Sequence, residues 1–103
     1  NILQVKIQKE FKVTPDYLEI NEHDADIGYH MGVYLCLGQA VHTLNHQDSI
    51  PISRFTSYHD IHQHMSEVGK LFLFMGEGKH KIKKKAEQTA CDAAINSLES
   101  FQI

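Results

Sequence analysis

The sequence predicts one α+β domain, residues 1–103, in which two helices cover one face of a three-stranded antiparallel sheet. Three observations support this fold class. Apolar residues recur at helical spacing near both ends of the chain, and a strictly alternating apolar pattern, typical of a strand, lies between them. The 103 residues are enough for a single hydrophobic core. Two amphipathic helices would supply the apolar surface that a small sheet lacks by itself.

The first part of the chain is predicted to contain one helix and two strands. Residues 2–11 form a helix because an apolar side chain returns at every fourth position; the three are Leu3, Ile7 and Phe11. Pro15 ends this helix, since proline disfavours helical geometry in the residue before it. Residues 17–21 are predicted as the first strand and residues 22–28 as a polar loop. Alternating apolar residues then mark the second strand: Met31, Val33, Leu35 and Leu37.

The last part of the chain is predicted to contain a strand and a closing helix. Residues 71–75 are a short apolar run that indicates the third strand, and residues 83–100 have helical periodicity. Alanines in this helix permit a close approach to the sheet. The expected core consists of apolar residues from both helices and from the second and third strands: Leu3, Ile7, Phe11, Val33, Leu35, Leu37, Leu71, Leu73, Ala86, Ala90, Ala94 and Leu98.

A long insert, residues 38–69, separates the second and third predicted strands. It is too long for an ordinary loop. Residues 51–56 are expected to be irregular or extended, and residues 57–68 to form a short helix capped by Ser57. The helix has an apolar stripe: Tyr58, Ile61, Met65 and Val68. Two alternatives follow, because the stripe either packs against its own domain or docks another chain or the rest of a parent enzyme.

Histidines are concentrated in this insert. They are His42, His46, His59, His62 and His64. Two of them, His59 and His62, are three residues apart on the predicted helix, which is compatible with shared metal coordination. A structural zinc site needs four ligands in tetrahedral geometry, usually including cysteines, and this insert supplies no convincing set of four. We therefore expect no metal and no cofactor in this domain.

Charge is distributed unevenly along the chain. The net charge is −3, and six of the thirteen acidic residues lie between Glu10 and Asp26. Five of the ten basic residues fall within seven positions, at the start of the closing helix: Lys79, Lys81, Lys83, Lys84 and Lys85. A helix N-terminus has partial positive charge, so it favours phosphate and disfavours lysine by up to about 1 kcal/mol for each exposed cation. Such a cluster, flanked by glycines, is either a site for a polyanionic ligand or a solvated charged surface.

The cysteines and the lack of apolar runs indicate the setting of the chain. Cys36 and Cys91 lie in apolar contexts without a C-x-x-C motif, which is typical of reduced, buried cysteines in an intracellular protein. The sequence has no signal peptide and no apolar run long enough to span a bilayer. Because it starts at Asn1 without a methionine, we expect a fragment of a longer chain.

Motifs at both ends of the chain resemble a known family. The chain contains Pro15-x-Tyr17, Gly76-x-Gly78 and Lys83-Lys84-x-Ala86-Glu87-x-x-Ala90-x-x-x-Ala94-Ile95. With the predicted α-β-β-β-α order, these motifs resemble a double-stranded-RNA-binding domain. Ile2-Leu3-Gln4, Gln8 and Ala86-Glu87-Gln88 are most similar to the carboxy-terminal domain of ribonuclease III enzymes. The resemblance covers about 70 of the 103 residues and is most specific in the closing motif.

The resemblance implies how RNA would be bound. Lys83 and Lys84 match the paired lysines that contact phosphates across the major groove, with the other lysines of the cluster as auxiliaries: Lys79, Lys81 and Lys85. Gln4 and Gln8 lie on one helix face and match positions in the minor groove, where an amide can both donate to and accept from a 2′-hydroxyl. Recognition would be of A-form shape, because side chains cannot read the deep RNA major groove.

The sequence departs from the family pattern at four places. The family's G-P-x-H loop is missing, and Asp24-Ala25-Asp26 occupies its position, where carboxylates would repel phosphate; His23 or His30 could substitute for the loop histidine. The turn before the closing helix, His80-Lys81-Ile82, is expected to be two residues longer and has no capping side chain. Val5 replaces a polar residue of the first helix. The insert is the fourth departure.

Catalytic motifs are missing from the chain. Ribonuclease III chemistry uses clustered carboxylates around an E-x-x-x-F-L-G-D run to hold magnesium, and this run does not occur. We therefore expect a non-catalytic module that binds double-stranded RNA for a ribonuclease III-type endoribonuclease, with magnesium only in the parent's catalytic domain. The alternative is a degenerate member of the same fold that mediates protein contacts and binds RNA weakly or not at all.

Overall fold

A computed structural model describes residues 1–101 of the protein and confirms the α+β class. Its helices and strands follow in chain order: α1 Ile2–Phe11, β1 Asp16–Asp24, β2 Gly28–Leu37, β3 Ile50–Pro51, α2 Tyr58–Val68, β4 Leu71–His80 and α3 Lys83–Glu99. No helix in the described part of the chain is long and apolar enough to cross a membrane.

The sheet has four strands in the order β1-β2-β4-β3 and is mixed, not purely antiparallel. β1 with β2 and β2 with β4 are antiparallel, whereas β3 runs parallel to β4 through two residue pairs, Ile50 with Leu73 and Pro51 with Phe74. The prediction of three strands and two helices was therefore wrong in detail. A two-residue strand is too short to produce an alternating pattern, and α2 belongs to the insert.

β4 is twice as long as the predicted third strand, because Gly76 and Gly78 continue it to His80. Both glycines face α3 at very short range. A Cβ atom on Gly78 would lie 2.5 Å from the carbonyl oxygen of Ala86, and one on Gly76 would lie 2.7 Å from that of Ala90. These glycines therefore allow the helix backbone to approach the strand. They do not form a loop around a ligand.

The core lies between the sheet and the helices α1 and α3. Eleven of the twelve expected core residues are buried, and the twelfth, Phe11, is half-buried against the same cluster. Leu3 and Ile7 anchor α1 with no exposed surface. Full burial of each such side chain contributes about 1.5–3 kcal/mol relative to exposure. On the other face of the sheet, Tyr34 stacks on Phe72 with ring centroids 5.1 Å apart.

The insert folds against its own domain. Ser57 caps α2 as predicted, since its hydroxyl accepts a hydrogen bond from the Asp60 backbone N–H at 3.1 Å. Within the apolar stripe of α2, Ile61 is buried and Tyr58 and Met65 pack against the core cluster, while Val68 is 55% exposed. Most of the stripe therefore has an intramolecular partner, which is the first of the two alternatives for this segment.

Candidate nucleic-acid interface

Helix α3 begins without a capping side chain. Its N-cap position is Ile82, which has extended backbone geometry but no side-chain oxygen to accept a hydrogen bond, and its first turn contains no acidic residue. The first turn instead carries three exposed lysines, Lys83, Lys84 and Lys85. The N–H groups and partial positive charge of this helix end therefore add to three ammonium groups, an arrangement that favours an anionic ligand.

The connection between β4 and α3 is short. Only Lys81 and Ile82 separate the two elements, and the Ile82 backbone N–H donates to Nδ1 of His80 at 3.0 Å. Nδ1 accepts this bond, so a neutral His80 has its proton on Nε2. His80 belongs to the strand, so the connection is shorter than the three-residue turn inferred from the sequence. Lys81 is exposed beside the start of α3.

Lys79 does not share a face with the helix lysines. Gly78 faces α3, and side chains alternate along a strand, so Glu77 and Lys79 are directed to the opposite face of the sheet. Lys79 also pairs in register with His30, which lies on that face. The structure therefore separates Lys79 from the other four lysines of the cluster.

The exposed face of α1 borders a shallow depression of about 470 Å³. Its lining residues are Asn1, Gln4, Val5, Gln8 and Lys9. The two glutamines are exposed and one helical turn apart, as predicted, and Val5 between them is 65% exposed. Asn1 caps this helix through a 2.7 Å hydrogen bond from the Gln4 N–H to its side-chain oxygen.

A second depression, of about 540 Å³, connects α1 to the lysine end of α3. Its lining residues are Asn1, Tyr17, Ile82, Lys84, Lys85, Glu87 and Gln88. Asn1 lines both depressions, so the glutamine face of α1 and the lysine end of α3 form one continuous surface. Burial raises the pKa of Tyr17 to about 12, with further contributions from Cys91 and Glu87.

The β1–β2 turn is stabilised by hydrogen bonds between one of its side chains and its own backbone. Oδ1 of Asp24 accepts hydrogen bonds from the backbone N–H groups of Asp26 at 2.7 Å and Ile27 at 3.1 Å. These bonds lower the pKa of Asp24. One oxygen of the Asp24 carboxylate thus binds the backbone of the turn itself. The side chains exposed at the tip of the turn are those of Ala25, Asp26 and Ile27. The acidic loop is shorter than predicted, because β1 extends to Asp24.

The base of this turn lies against the β4–α3 connection. Gly28 has a φ of 93°, and a Cβ atom there would lie 2.5 Å from the carbonyl oxygen of His80 and 2.6 Å from the Cα atom of Lys81. Only glycine fits this position without a shift of the backbone. The contact places the β1–β2 turn beside Lys81, so three segments border one surface: α1, the β1–β2 turn and the start of α3.

His30 lies in the sheet and not at the tip of the loop. It is 9% exposed, and its Nδ1 atom accepts a 2.7 Å hydrogen bond from the side-chain amide of Asn21. Its Nε2 atom faces Oε1 of Glu77 at 3.5 Å and has no hydrogen-bond partner. The ring therefore links β1, β2 and β4 on the sheet face opposite α3, and its burial leaves almost no surface for an RNA sugar.

The histidines of the insert are dispersed. His62 contacts α1, and the ring of His64 packs edge-on against Phe55 at 5.7 Å. Among residues 1–101, no three His, Cys, Asp or Glu side chains are grouped closely enough to hold a metal ion. His59 and His62 share a helix, but no third ligand joins them in that range.

Three residues that border the surface were not assigned to it from the sequence. Asn1 and Ile82 are the N-cap positions of α1 and α3, and Tyr17 lies between these helices as part of the wall. An asparagine just before a helical pattern is a recognisable cap signal, so the role of Asn1 was accessible from the sequence. The positions of Tyr17 and Ile82 depend on tertiary contacts.

Comparisons of the chain with models of protein families, with curated proteins and with solved structures find no match. The surface itself indicates its ligand chemistry. Ammonium groups beside the open N-terminus of a helix suit phosphates, and exposed amides suit hydroxyl groups.

Proposed function

We propose that this domain binds double-stranded RNA through the surface formed by α1, the β1–β2 turn and the start of α3. The observation that carries the proposal is the continuity of this surface, because Asn1 joins the glutamine face of α1 to the lysine end of α3. The resemblance of the chain to the RNA-binding domain of ribonuclease III enzymes assigns these same segments to RNA contacts.

The start of α3 supplies the phosphate contacts. Lys83 and Lys84 are the primary ligands, Lys85 and Lys81 are auxiliaries, and the uncapped helix end adds its partial positive charge. Each lysine that neutralises a phosphate releases counterions and steepens the salt dependence of binding by nearly one unit. Affinity therefore comes mainly from this end of the molecule, although the net charge of the chain is −3.

Helix α1 supplies the contacts that distinguish RNA from DNA. The amides of Gln4 and Gln8 can each donate to and accept from a ribose 2′-hydroxyl, which DNA lacks. A-form RNA presents these hydroxyls in a wide, shallow minor groove, where a helix face can reach them. Lys79 and His30 have no RNA contact in this proposal, because both are directed to the other face of the sheet.

The domain would act as the substrate-binding module of a ribonuclease III-type endoribonuclease. In that role it holds the duplex for cleavage by a separate catalytic domain, which would carry the magnesium ions. The acidic side chain at the tip of the β1–β2 turn, Asp26, opposes phosphate binding and would keep the affinity of this module moderate.

Titration of the domain with a duplex RNA of about 20 base pairs tests the proposal, since a domain of this kind covers about 16 base pairs. A DNA duplex and a single-stranded RNA of the same sequence are the controls, each measured at two salt concentrations. We expect selective binding of the RNA duplex that weakens steeply with salt. Equal affinity for the DNA duplex would contradict the role of the two glutamines.

Charge reversal separates a specific phosphate site from general attraction. We expect Lys83→Glu/Lys84→Glu to abolish RNA binding without lowering the melting temperature, because both side chains are exposed and carboxylates are favoured over ammonium groups at a helix N-terminus. The matched control is Lys70→Glu/Lys79→Glu, which changes the net charge equally but removes exposed lysines outside the surface. Equal losses in the two variants would show that only net charge matters.

A second candidate function is protein binding by the same surface with little RNA binding. The observation that favours it is the exposure of four large apolar side chains along the three segments: Ile2, Val5, Ile27 and Ile82, each more than half exposed. This candidate predicts that the domain does not bind the RNA duplex even at low salt.

A further inference from the structure

The insert helix α2 contacts the C-terminal end of α1 through several side chains. Nε2 of His62 donates a 2.9 Å hydrogen bond to Oε1 of Glu10. The His62 ring also packs on Phe11, with centroids 4.9 Å apart and planes inclined by 35°. Tyr58 meets Phe11 edge to face at 5.8 Å. Two side chains of α2 therefore hold the last two residues of α1.

Helix α1 is short, and its contact with α2 lies at the end that has the least burial. It has ten residues, and a helix this short has little stability of its own in water. Its fully buried anchors are Leu3 and Ile7, in the first two turns. Phe11 is the third residue of that stripe and is only half-buried, and the chain reverses direction directly after it, where Lys12 has a φ of 63°. Contact with α2 thus adds to the core packing of Phe11 at the end of the helix.

The position of Gln8 is sensitive to this contact. Four residues of a helix span about 6 Å, so a tilt of about 10° around the first turn moves Gln8 by about 1 Å. Hydrogen bonds to a hydroxyl form over a distance range of only about 0.5 Å. A small change in the orientation of α1 is therefore sufficient to remove a glutamine contact while the lysine contacts of α3 remain.

We propose that the insert is a positioning element of the RNA-binding surface, in which His62 and Tyr58 of α2 fix the orientation of α1. This inference rests on the proposed function and adds a role for residues that do not touch RNA. It assigns the histidine-rich insert an intramolecular partner, the end of α1 formed by Glu10 and Phe11. The insert then acts on RNA-versus-DNA selectivity and not on the phosphate contacts.

The test uses His62→Ala, which removes both the hydrogen bond to Glu10 and the ring contact with Phe11. His59→Ala is the matched control, since His59 is exposed on the same helix and has no hydrogen bond or ring contact with α1 among residues 1–101. Amide hydrogen exchange is measured first, without RNA. We expect faster exchange in α1 of His62→Ala, with exchange in β2 and α3 unchanged, and no change in His59→Ala.

The second readout is the energetic coupling between His62 and the two glutamines in RNA binding. If His62 served only the stability of the domain, the effect of the glutamine substitutions would be the same with and without it. In the wild-type domain, Gln4→Ala/Gln8→Ala should weaken binding to duplex RNA. In the His62→Ala background the same change should cost about fivefold less, because neighbouring sites that act as a unit are not additive. The salt dependence of binding should be equal in both backgrounds, since the lysines are untouched.

Three results would overturn the inference. Unchanged exchange in α1 of both His62→Ala and a second variant, Phe11→Ala, would show that α2 does not hold the helix. Faster exchange with fully additive glutamine effects would show that the orientation of α1 does not matter for RNA. Absence of RNA binding by the wild-type domain would remove the proposed function itself, and is distinguished from the other two because it is seen before any substitution is made.

Discussion

Two turns that border the same surface treat their backbone N–H groups in opposite ways. In the β1–β2 turn, the Asp24 carboxylate accepts hydrogen bonds from two backbone N–H groups. At the start of α3, Ile82 occupies the capping position and accepts no hydrogen bond through its side chain. The β1–β2 turn is therefore stabilised by hydrogen bonds to one of its own side chains. The second leaves a positive helix end open, which costs stability but favours a phosphate ligand.

The position of the start of α3 depends on the packing of this helix against β4. Gly76 and Gly78 bring the strand so close to the helix that a Cβ atom on either would contact helix backbone atoms at less than 3 Å. The three lysines thus sit on a helix whose position is set by glycine and alanine. The β1–β2 turn has no comparable packing around its tip, where three consecutive residues are exposed. The start of α3 is positioned by core packing. The tip of the β1–β2 turn is held by local hydrogen bonds, and only its base, at Gly28, is packed tightly.

The largest expected effect comes from breaking the support of α3. In Gly78→Val the new side chain would overlap the carbonyl oxygen of Ala86, and we expect a loss of about 3 kcal/mol of unfolding free energy or more. For a domain of this size such a loss lowers the melting temperature by about 15 °C. Lys79→Val is the control, since it adds the same side chain to the exposed side of the same strand. Similar melting curves for the two variants would contradict the close packing.

The next largest effect is expected when the start of α3 is given a capping carboxylate like that of the β1–β2 turn. Ile82→Asp supplies the missing cap and should raise the unfolding free energy by about 1 kcal/mol, because Ile82 is half exposed and loses little packing. The same carboxylate would lie where a phosphate is expected, so RNA affinity should fall. Ile82→Ser adds a cap without charge, and should stabilise the domain with a smaller loss of affinity. If Ile82→Asp binds RNA as tightly as the wild type, the helix end does not contact phosphate.

A smaller effect is expected when the tip of the β1–β2 turn is given a positive charge like that of the start of α3. Asp26→Lys replaces an exposed carboxylate at the tip with an ammonium group, and should tighten RNA binding at low salt and add about one unit to its salt dependence. Asp48→Lys makes the same change of charge at an exposed position in the insert, and serves as the control. Equal gains in both variants would mean that the tip does not approach the duplex.

Local patterns predicted the long elements well and the short or tertiary ones poorly. The alternation from Met31 and the alanine spacing of α3 each extend over several turns or residues, so helix, strand and core assignments agreed with the structure. Strand β3 has only two residues and no period to detect. The pair Gly76 and Gly78 has two meanings in a sequence, a flexible ligand loop or a site of close packing, and only the position of α3 distinguishes them.

The candidate site shows the same division. Helical spacing predicted that Gln4 and Gln8 share one face of α1, and the lysine cluster placed Lys83 and Lys84 at the start of α3; all four are exposed in the structure. Lys79 and His30 are in strands, where side chains alternate between the two faces, and both lie on the side of the sheet away from α3. The role of Asp24 was also missed, because net repulsion was considered and its hydrogen bonds to the turn were not.

The smallest expected effect is the pH dependence of the β1–β2 turn. Hydrogen bonds from the backbone lower the pKa of Asp24 below its ordinary value of 3.8, so the folded state favours the carboxylate. Its stabilising contribution is therefore complete above the pKa of the unfolded state and is lost as the pH falls through the lower pKa of the folded state. Comparing Asp24→Asn with the wild type should show a lower melting temperature for the variant at pH 6 and a difference that shrinks on acidification below about pH 4.

The difference in melting temperature between Asp24→Asn and the wild type isolates the contribution of the Asp24 carboxylate. The pKa of Asp60 is also lowered, by hydrogen bonds from Thr56, but that carboxylate is present in both proteins and cancels in the difference. Asp26→Asn removes a charge from the same turn without removing an acceptor of backbone hydrogen bonds. A constant difference between Asp24→Asn and the wild type from pH 6 to pH 2 would show that Asp24 holds the turn by geometry alone. The contrast between a turn stabilised by charge and a helix end left open for a ligand would then be lost.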